Sequence, residues 1–234
     1  MVLNHNNPVI PGYGVADTVI TVSVNGWEYP SRKTIVSDCH QSGYLTQCPF
    51  KIILPPMEPS YRENTIEIFE NGKRKHKFER ILFGKVFLCS GQSNMEFSVN
   101  QLVNAEEEIE DSSNYPHMRL FQIPRTYYSI PQISAKSVYE NGWTTSNPKA
   151  LRGDGNFSYF SAVCYTFGRN LYEKYRNDEM QVPIGLLASA YGGTPLQAWS
   201  TPNALQACPY AKDINDGAIQ YPATFKSVTY NGMI

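Results

Sequence analysis

The chain lacks several features that would assign it to a large class of proteins. No apolar stretch approaches the ~20 residues needed to cross a bilayer. Neither sign of charge dominates, because 20 lysines and arginines balance 21 acids among 234 residues. The sequence therefore predicts no membrane span and no nucleic-acid partner recruited by bulk charge. The first residues also lack the basic and apolar segments of a signal peptide.

Motifs for metals and nucleotides are missing as well. There is no His-Glu-x-x-His, no paired Cys-x-x-Cys and no phosphate loop, so neither a metal nor a cofactor is predicted. The five cysteines are an odd number in a chain too long to need a disulfide framework. Cys39 and Cys48 could close a hairpin across Gly43. Cys89 and Cys164 lie in apolar segments and are predicted to be small buried apolar side chains.

The first third of the chain shows the pattern of short β-strands. Strands are predicted at residues 18–24, 51–54, 65–69 and 77–82. Two dipeptides separate neighbouring strands, Asn25-Gly26 and Asn71-Gly72, and both suit the type I′ turn of a tight hairpin. This part is therefore predicted to be rich in β-structure.

From Val86 onward, strands and helices alternate. A helix is predicted through the acidic run Glu106–Asp111, a strand over Arg119–Ile123, and a buried parallel strand over Pro183–Ala190. The pattern indicates a β-rich module over residues 1–82, joined to an α/β domain over 83–234. In such a domain ligands bind beyond the carboxyl ends of the strands.

A longer helix is predicted over residues 159–175. Its apolar positions recur at intervals of three and four residues, which predicts one buried face. The residues of that predicted face are Phe160, Val163, Phe167 and Leu171.

The most informative segment is an apolar run that ends in a small polar turn, Gly91-Gln92-Ser93-Asn94. A strand-to-helix turn exposes a side chain above a sheet and directs backbone N–H groups to the same point. Ser93 is therefore a candidate nucleophile whose own N–H could bind an oxyanion. A serine in such a turn can equally be an ordinary helix N-cap.

A second candidate turn follows the apolar strand that ends at Ala190. Gly192 and Gly193 lack a Cβ atom, so a substrate can approach their backbone closely, and either N–H could be a second oxyanion donor. Alone, the pair is typical of an ordinary turn. Its combination with Ser93 is what indicates a site, because both turns follow strands of the predicted parallel sheet.

A general base for Ser93 is hard to find in this sequence. The chain has four histidines, and the members of a catalytic triad occur in any chain order. His5, His40 and His76 lie in polar or turn segments and are interpreted as surface residues. His117 precedes a strand, which predicts a position at the edge of the sheet opposite Ser93.

Two further motifs favour ordinary interpretations. The basic run from Lys73 to Arg80 lies beside a hairpin and is interpreted as a solvated turn rather than a nucleic-acid site. Asn156-Phe157-Ser158 is a glycosylation sequon, which matters only if the chain enters a secretory compartment.

Three segments, Phe87–Met95, Tyr159–Leu171 and Pro183–Trp199, together closely resemble the sialate O-acetylesterases. The resemblance extends over the whole chain. That family belongs to the SGNH hydrolases, whose catalytic domain is a flavodoxin-like α/β sheet. The resemblance therefore implies an incomplete SGNH hydrolase domain over residues 83–234, preceded by the family's β-rich N-terminal region.

The resemblance also implies roles for individual residues. Ser93 matches the nucleophile, and Gly192 matches the glycine that donates a second oxyanion N–H, with Gly193 as the close alternative. The residues flanking this centre are candidate substrate-binding groups: Gln92, Asn94, Gly193 and Thr194.

By the same resemblance, the chain is expected to be an N-terminal fragment. A Gln-Gly-Glu block and an Asp-x-x-His, which supplies the base and its orienting acid, should follow well after Ile234. Met1-Val2-Leu3 resembles the middle of the family's first β-segment, so a signal peptide and an opening strand are expected to be missing too. Little turnover is expected of the 234 residues alone, since losing a general base costs about 10²- to 10⁴-fold.

The implied reaction is removal of O-acetyl groups from sialic acids by acyl transfer through Ser93, with no metal or cofactor. The implied partner is an O-acetylated sialic acid or a glycan that carries it, and the implied location is lysosomal or secreted. Two alternatives stay open. One is a non-catalytic glycan-binding chain or pseudoenzyme, and the other is an acetylesterase acting on other carbohydrates, such as plant polysaccharides.

Overall fold

The computed structural model describes residues 1–33, 40–42, 45–129, 132, 135–152, 160–209, 227 and 230–231. The chain divides into two units. The first comprises Met1–Val86 with Tyr175–Pro183, and the second comprises Phe87–Lys174 with Ile184–Ile234. Cys39 and the sequon at Asn156 lie outside the described residues.

The first unit is built mainly from β-strands. They are β1 Val2–Asn4, β2 Val9–Val15, β3 Val19–Val24, β4 Trp27–Lys33, β5 His40–Ser42, β6 Leu45–Ile53, β7 Ser60–Glu70 and the first part of β8 Lys73–Gly91, which continues into the second unit from Phe87. All four strands predicted between residues 18 and 82 are present. The last one differs from its prediction, because residues 77–82 and the apolar run after Val86 form the single strand β8. The predicted domain boundary at residue 82 falls within this strand and stays a prediction.

The two tight hairpins of the first unit follow the predicted turn chemistry. Asn25 and Gly26 have φ angles of 52° and 84°, and Asn71 and Gly72 have φ angles of 50° and 76°. A type I′ turn needs positive φ at both central residues, which Asn and Gly adopt at low cost. The turns join β3 to β4 and β7 to β8 with two-residue loops, so both hairpin predictions are confirmed.

Two sheets share the core of the first unit. The strands β4, β3, β7 and β8 are antiparallel neighbours in that order, β1 pairs parallel with β8, and β2, β6 and β5 form a separate antiparallel sheet. Alternate residues of the strands face the interior, as the period of two requires. The buried core residues are Ile10, Ile20, Val22, Val24, Ile52, Leu54, Ile66, Ile68, Ile81 and Phe83.

Glu70, at the end of β7, connects separate parts of this unit. Its carboxylate accepts a hydrogen bond from the Val15 N–H at 2.9 Å and lies 2.9 Å from the Lys75 ammonium. The hydrogen bond from Val15 and the contact with Lys75 both favour the charged carboxylate, and they lower the pKa of Glu70 below its usual value.

This lowered pKa predicts a pH-dependent contribution to stability. A carboxylate with a lowered pKa in the folded state stabilises the protein above its unfolded pKa, about 4.3, and loses that contribution as the pH falls through the folded pKa. Glu70→Gln is therefore expected to make the free energy of unfolding less dependent on pH below about pH 4.5. Urea unfolding at several pH values measures this. Glu58→Gln, at an exposed carboxylate of the same unit, is the control, and an equal flattening there would contradict the role of Glu70.

The second unit combines parallel strands with helices. Its strands after β8 are β9 Met118–Gln122, β10 Thr144–Thr145 and β11 Ile184–Ala190, and its helices are α1 Ser93–Glu96, α2 Ala105–Asp111, α3 Pro148–Arg152, α4 Ala162–Asn177 and α5 Pro202–Ala207. The strand β11 lies between β9 and β8 and runs parallel to β9. Most of β11 is buried, which confirms the predicted buried parallel strand. Within the described residues, no helix combines the length and apolar character of a membrane span.

The predicted apolar face of helix α4 is confirmed at Phe160, which is buried just before the helix, and wrong at Val163 and Phe167. Val163 and Phe167 are 46% and 45% exposed, whereas Cys164, Tyr165 and Gly168 are buried. The helix approaches β11 so closely that a Cβ atom at Gly168 would lie 2.5 Å from a Leu186 methyl group. The prediction counted only strongly apolar residues, and it missed a face made of glycine, cysteine and the apolar bodies of tyrosines.

The cysteines also differ from their prediction. Cys89 in β8 and Cys164 in α4 are buried as predicted, but they form a disulfide with a Cα–Cα distance of 5.7 Å. Cys48 is disulfide-bonded, and Cys208 is free and exposed. The pair Cys89–Cys164 was missed because its two members are 75 residues apart in sequence and meet only when α4 packs against the sheet.

Candidate active site

Ser93 is the first residue of α1, directly after the end of β8. Gly91 has φ 152°, a conformation that favours glycine, and turns the chain sharply out of the strand. Gln92, Ser93 and Asn94 are all exposed. The Ser93 hydroxyl donates a hydrogen bond to Gln92 Oε1 at 2.6 Å. The serine is thus presented to solvent at the carboxyl end of a strand, as the sequence predicts.

The second predicted turn lies against the first. The Tyr191 N–H donates a hydrogen bond to the Gly91 carbonyl at 3.0 Å, which joins the ends of β8 and β11. A Cβ atom at Gly192 would lie 3.7 Å from the Ser93 Cα. The two turns that were identified separately in the sequence are therefore neighbours in the fold, at the carboxyl edge of the sheet.

Thr194 stabilises the second turn from within. Its buried hydroxyl donates a hydrogen bond to the Tyr191 carbonyl at 2.5 Å and accepts one from the Trp199 indole N–H at 2.7 Å. These two bonds use the donor of Thr194 and one of its two acceptor positions. The role predicted for Thr194 in binding substrate stays a prediction.

A carboxylate that the sequence analysis did not identify connects the two turns. Glu96, the last residue of α1, accepts a hydrogen bond from the Gly192 N–H at 2.9 Å through its Oε2 atom. Its other oxygen, Oε1, lies 2.5 Å from Arg125 Nε. The Arg125 guanidinium in turn lies 5.7 Å from the centre of the Tyr191 ring, within the range of a cation–π contact. The spacing of three residues between Ser93 and Glu96 was the available signal, because it places both on one side of a helical turn.

Gly193 is placed differently from Gly192. It is exposed, has φ 76°, and a Cβ atom there would meet nothing within 4 Å. In the described part of the chain its N–H has no hydrogen-bond acceptor. Of the two glycines proposed as oxyanion donors, Gly192 therefore has its N–H bonded to a carboxylate, and Gly193 has an N–H with no acceptor among the described residues.

His117 lies at the other end of the sheet. Its carbonyl accepts a hydrogen bond from the Ile184 N–H at the start of β11, whereas the end of β11 adjoins the Ser93 turn. Seven residues of strand separate the two points by roughly 20 Å. The ring Nδ1 lies 3.1 Å from the Tyr172 hydroxyl. This geometry agrees with the expectation that His117 is not the base for Ser93.

The disulfide lies close in sequence to Ser93. Cys89 precedes Ser93 by four residues on β8, and Cys164 lies in the first turn of α4. The bond therefore fixes the strand that carries the serine to a helix packed on the same sheet. Among the described residues, no group of three or more His, Cys, Asp or Glu side chains is arranged to hold a metal ion.

Comparison of the structure with solved proteins shows a related fold. A crystal structure of a carbohydrate acetylesterase from Xanthomonas citri superposes on the whole chain with a TM-score of 0.74, at 22% sequence identity, and the chain covers 45% of that protein. The chain therefore has a mixed α/β fold with a large central sheet, like that of this acetylesterase. No protein-family profile matches the sequence.

Relatives found by sequence are more similar to the chain than this solved structure is. The sialate O-acetylesterase of Rattus norvegicus is 36% identical over 86% of this chain, and that of Homo sapiens is 34% identical over 97% of it. The chain covers 35% and 42% of these relatives, so it spans less than half of their length. The resemblance to the sialate O-acetylesterases that the motifs predict is therefore confirmed, as homology over most of this chain.

Proposed function

We propose that the chain carries the nucleophile and oxyanion turns of a serine esterase of the SGNH type, which removes O-acetyl groups from sialic acids. The observation that best supports the proposal is the contact between the two turns. An exposed Ser93 at the end of β8 and the Gly192–Gly193 turn at the end of β11 lie side by side. Homology to sialate O-acetylesterases supports the choice of substrate.

The reaction proposed for this site is a two-step acyl transfer. Ser93 Oγ attacks the carbonyl carbon of the acetyl group, and its proton passes to a general base. The negative charge on the carbonyl oxygen is stabilised by the Ser93 N–H and by an N–H of the Gly192–Gly193 turn. The sugar hydroxyl leaves with the proton, and water then hydrolyses the acetyl-serine to release acetate.

The general base is proposed to come from an Asp-x-x-His that these 234 residues do not contain. His117 is about 20 Å along the sheet from Ser93, and proton transfer needs contact within hydrogen-bond distance or through one water. The N-terminal 82 residues are proposed to be the family's β-rich module, and residues 83–234 part of its catalytic domain. A lysosomal or secreted location is proposed on the same resemblance.

The sugar is proposed to contact the polar groups that flank Ser93. Asn94 is exposed beside it, and Gln92 is exposed and accepts the bond from the Ser93 hydroxyl. An amide side chain both donates and accepts hydrogen bonds, which suits the hydroxyl and carboxylate groups of a sialic acid. No metal or cofactor enters this proposal.

Competition for Ser93 tests the proposed substrate. A longer form of the chain that supplies the Asp-x-x-His is treated with 4-nitrophenyl acetate, and nitrophenolate release is followed with added O-acetylated sialic acid. The matched control ligand is the same sialic acid without its acetyl group, and a second ligand is an acetylated xylo-oligosaccharide. We expect the acetylated sialic acid to slow the reaction most, because it alone has both the acetyl group and the sugar that the site is proposed to bind.

Each other outcome has a definite interpretation. A stronger effect of the acetylated xylo-oligosaccharide would favour an acetylesterase acting on other carbohydrates. Tight binding of sialic acid without acetylation of Ser93 would favour a non-catalytic glycan-binding chain.

A further inference from the structure

We propose that Glu96 is a positioning residue that holds the Gly192 turn against Ser93, and that Gly193 rather than Gly192 donates the second oxyanion hydrogen bond. This inference rests on the proposed function, and it assigns the donor that the function leaves open. Its basis is the hydrogen bond from the Gly192 N–H to Glu96 Oε2 at 2.9 Å. Glu96 ends the short helix that Ser93 begins, so one hydrogen bond fixes the distance between the two turns.

The bond to Glu96 makes Gly192 a poor oxyanion donor. A backbone N–H carries one proton, and here that proton is directed at a carboxylate, which is a strong charge-assisted acceptor. An oxyanion would have to displace Glu96 before it could use the same proton. Gly193 needs no such displacement, because its N–H has no acceptor in the described part of the chain and its backbone is exposed.

The positive charge of Arg125 offsets the negative charge of Glu96 beside Ser93. An isolated negative charge beside Ser93 would oppose the negative charge that develops on the carbonyl oxygen in the transition state. Arg125 Nε lies 2.5 Å from Glu96 Oε1, so the pair is close to neutral overall. The guanidinium also lies over the Tyr191 ring, and Tyr191 is the residue whose N–H joins the two strand ends.

The space around Gly192 agrees with the same assignment. A Cβ atom there would lie 2.5 Å from Glu96 Oε2, so a larger residue would displace the carboxylate. The backbone at Gly192 is not in the left-handed region, so conformation does not demand glycine. The close approach of Glu96 explains Gly192, whereas the φ of 76° explains Gly193.

An NMR experiment on a longer form of the chain that supplies the Asp-x-x-His distinguishes the two glycines. The chain is labelled with ¹⁵N-glycine and treated with excess ethyl fluorophosphonate. In the adduct, Ser93 Oγ is bonded to phosphorus, fluoride has left, the serine proton has gone to solvent, and a phosphonyl oxygen occupies the oxyanion position. We expect the Gly193 amide resonance to shift downfield on adduct formation, while the Gly192 resonance changes little. Glu96→Ala should shift the Gly192 resonance in the untreated chain.

The outcomes separate this inference from the proposed function. A shift of Gly192 in place of Gly193 on adduct formation would overturn the donor assignment while supporting Ser93 as nucleophile. A failure to form any adduct at Ser93, in a chain that is folded by its NMR spectrum, would count against the proposed function and against this inference with it.

Kinetics of phosphonylation test the positioning role. Glu96→Ala is expected to lower the maximal rate of Ser93 phosphonylation by about 10²-fold, the effect of misplacing a catalytic group by about 1 Å. The reagent concentration at half-maximal rate should stay the same. Glu96→Gln keeps an acceptor for the Gly192 N–H and should recover most of the rate. The matched control is Glu107→Ala, at an exposed glutamate of α2, for which no change is expected.

A purely structural role for Glu96 would give a different pattern. It would lower the melting temperature and leave the rate of the folded fraction unchanged, which would overturn the proposal. A faster reaction of Glu96→Ala would also overturn it, because Glu96 would then obstruct the oxyanion position rather than organise it. Glu96→Gln, which conserves size and hydrogen bonding, keeps the test valid if the alanine variant fails to fold.

Discussion

Ser93→Ala is expected to abolish acetylation by 4-nitrophenyl acetate at the end of β8, in a longer form of the chain that supplies an Asp-x-x-His. In that form it should also lower kcat for ester hydrolysis by a factor on the order of 10⁶, as removal of the nucleophile does in serine hydrolases whose triad acts as a unit. The physical reason is that the substitution removes the attacking oxygen. Ser93 is exposed, begins α1, and lies beside the Gly192 turn.

The fold should survive this substitution. The Ser93 hydroxyl is exposed and bonds only to the neighbouring Gln92 side chain among the contacts described, so its loss leaves no buried group unsatisfied. Melting temperature and urea unfolding are therefore expected to change little. Ser90→Ala, three residues earlier on β8, is the matched control, and loss of reactivity in that variant would show that Ser93 is not the reactive group.

Removing the Cys89–Cys164 disulfide is expected to have the largest effect on stability. The bond closes a segment with a sequence separation of 75 residues, and a closed loop of that size contributes about 4 kcal/mol by restricting the unfolded chain. Cys89→Ser with Cys164→Ser should therefore lower the free energy of unfolding by about 4 kcal/mol, or roughly 10³-fold in the folding equilibrium. Both side chains are buried, so the serines add a cost of their own.

Urea unfolding under non-reducing conditions measures this effect. Cys208→Ser is the matched control, because Cys208 is exposed and free. The same destabilisation in the control, or none in the double variant, would contradict the role assigned to the disulfide. Because β8 carries Ser93, the double variant should also acetylate more slowly than the control, even where both are fully folded.

Local chemistry made some parts of this fold predictable. Asn25-Gly26 and Asn71-Gly72 determine their turns without help from distant residues, since few residues adopt positive φ at two consecutive positions. The buried strand β11 was recognisable from its unbroken apolar run. The proximity of Ser93 to Gly192 followed from one topological rule, that parallel strands end at the same edge of the sheet.

Other features depend on tertiary contacts that no local pattern encodes. The buried face of α4 includes Gly168, which can pack closely against Leu186 because it has no side chain. The disulfide joins residues far apart in sequence. Glu96 was missed because a single glutamate in a short helix is ordinary, and its partners Arg125 and Gly192 are distant in sequence.

The most direct test of the central claim is to locate the acetyl group after brief treatment with 4-nitrophenyl acetate of a longer form of the chain that supplies the Asp-x-x-His. Proteolysis and mass spectrometry identify the modified residue, and the same reaction in denaturant measures the background at lysines and other exposed groups. Ser93 is expected to be acetylated faster than any other residue in the folded chain, and at no more than background in urea. Acetylation of other residues in preference to Ser93 in the folded chain would contradict the assignment of Ser93 as the nucleophile.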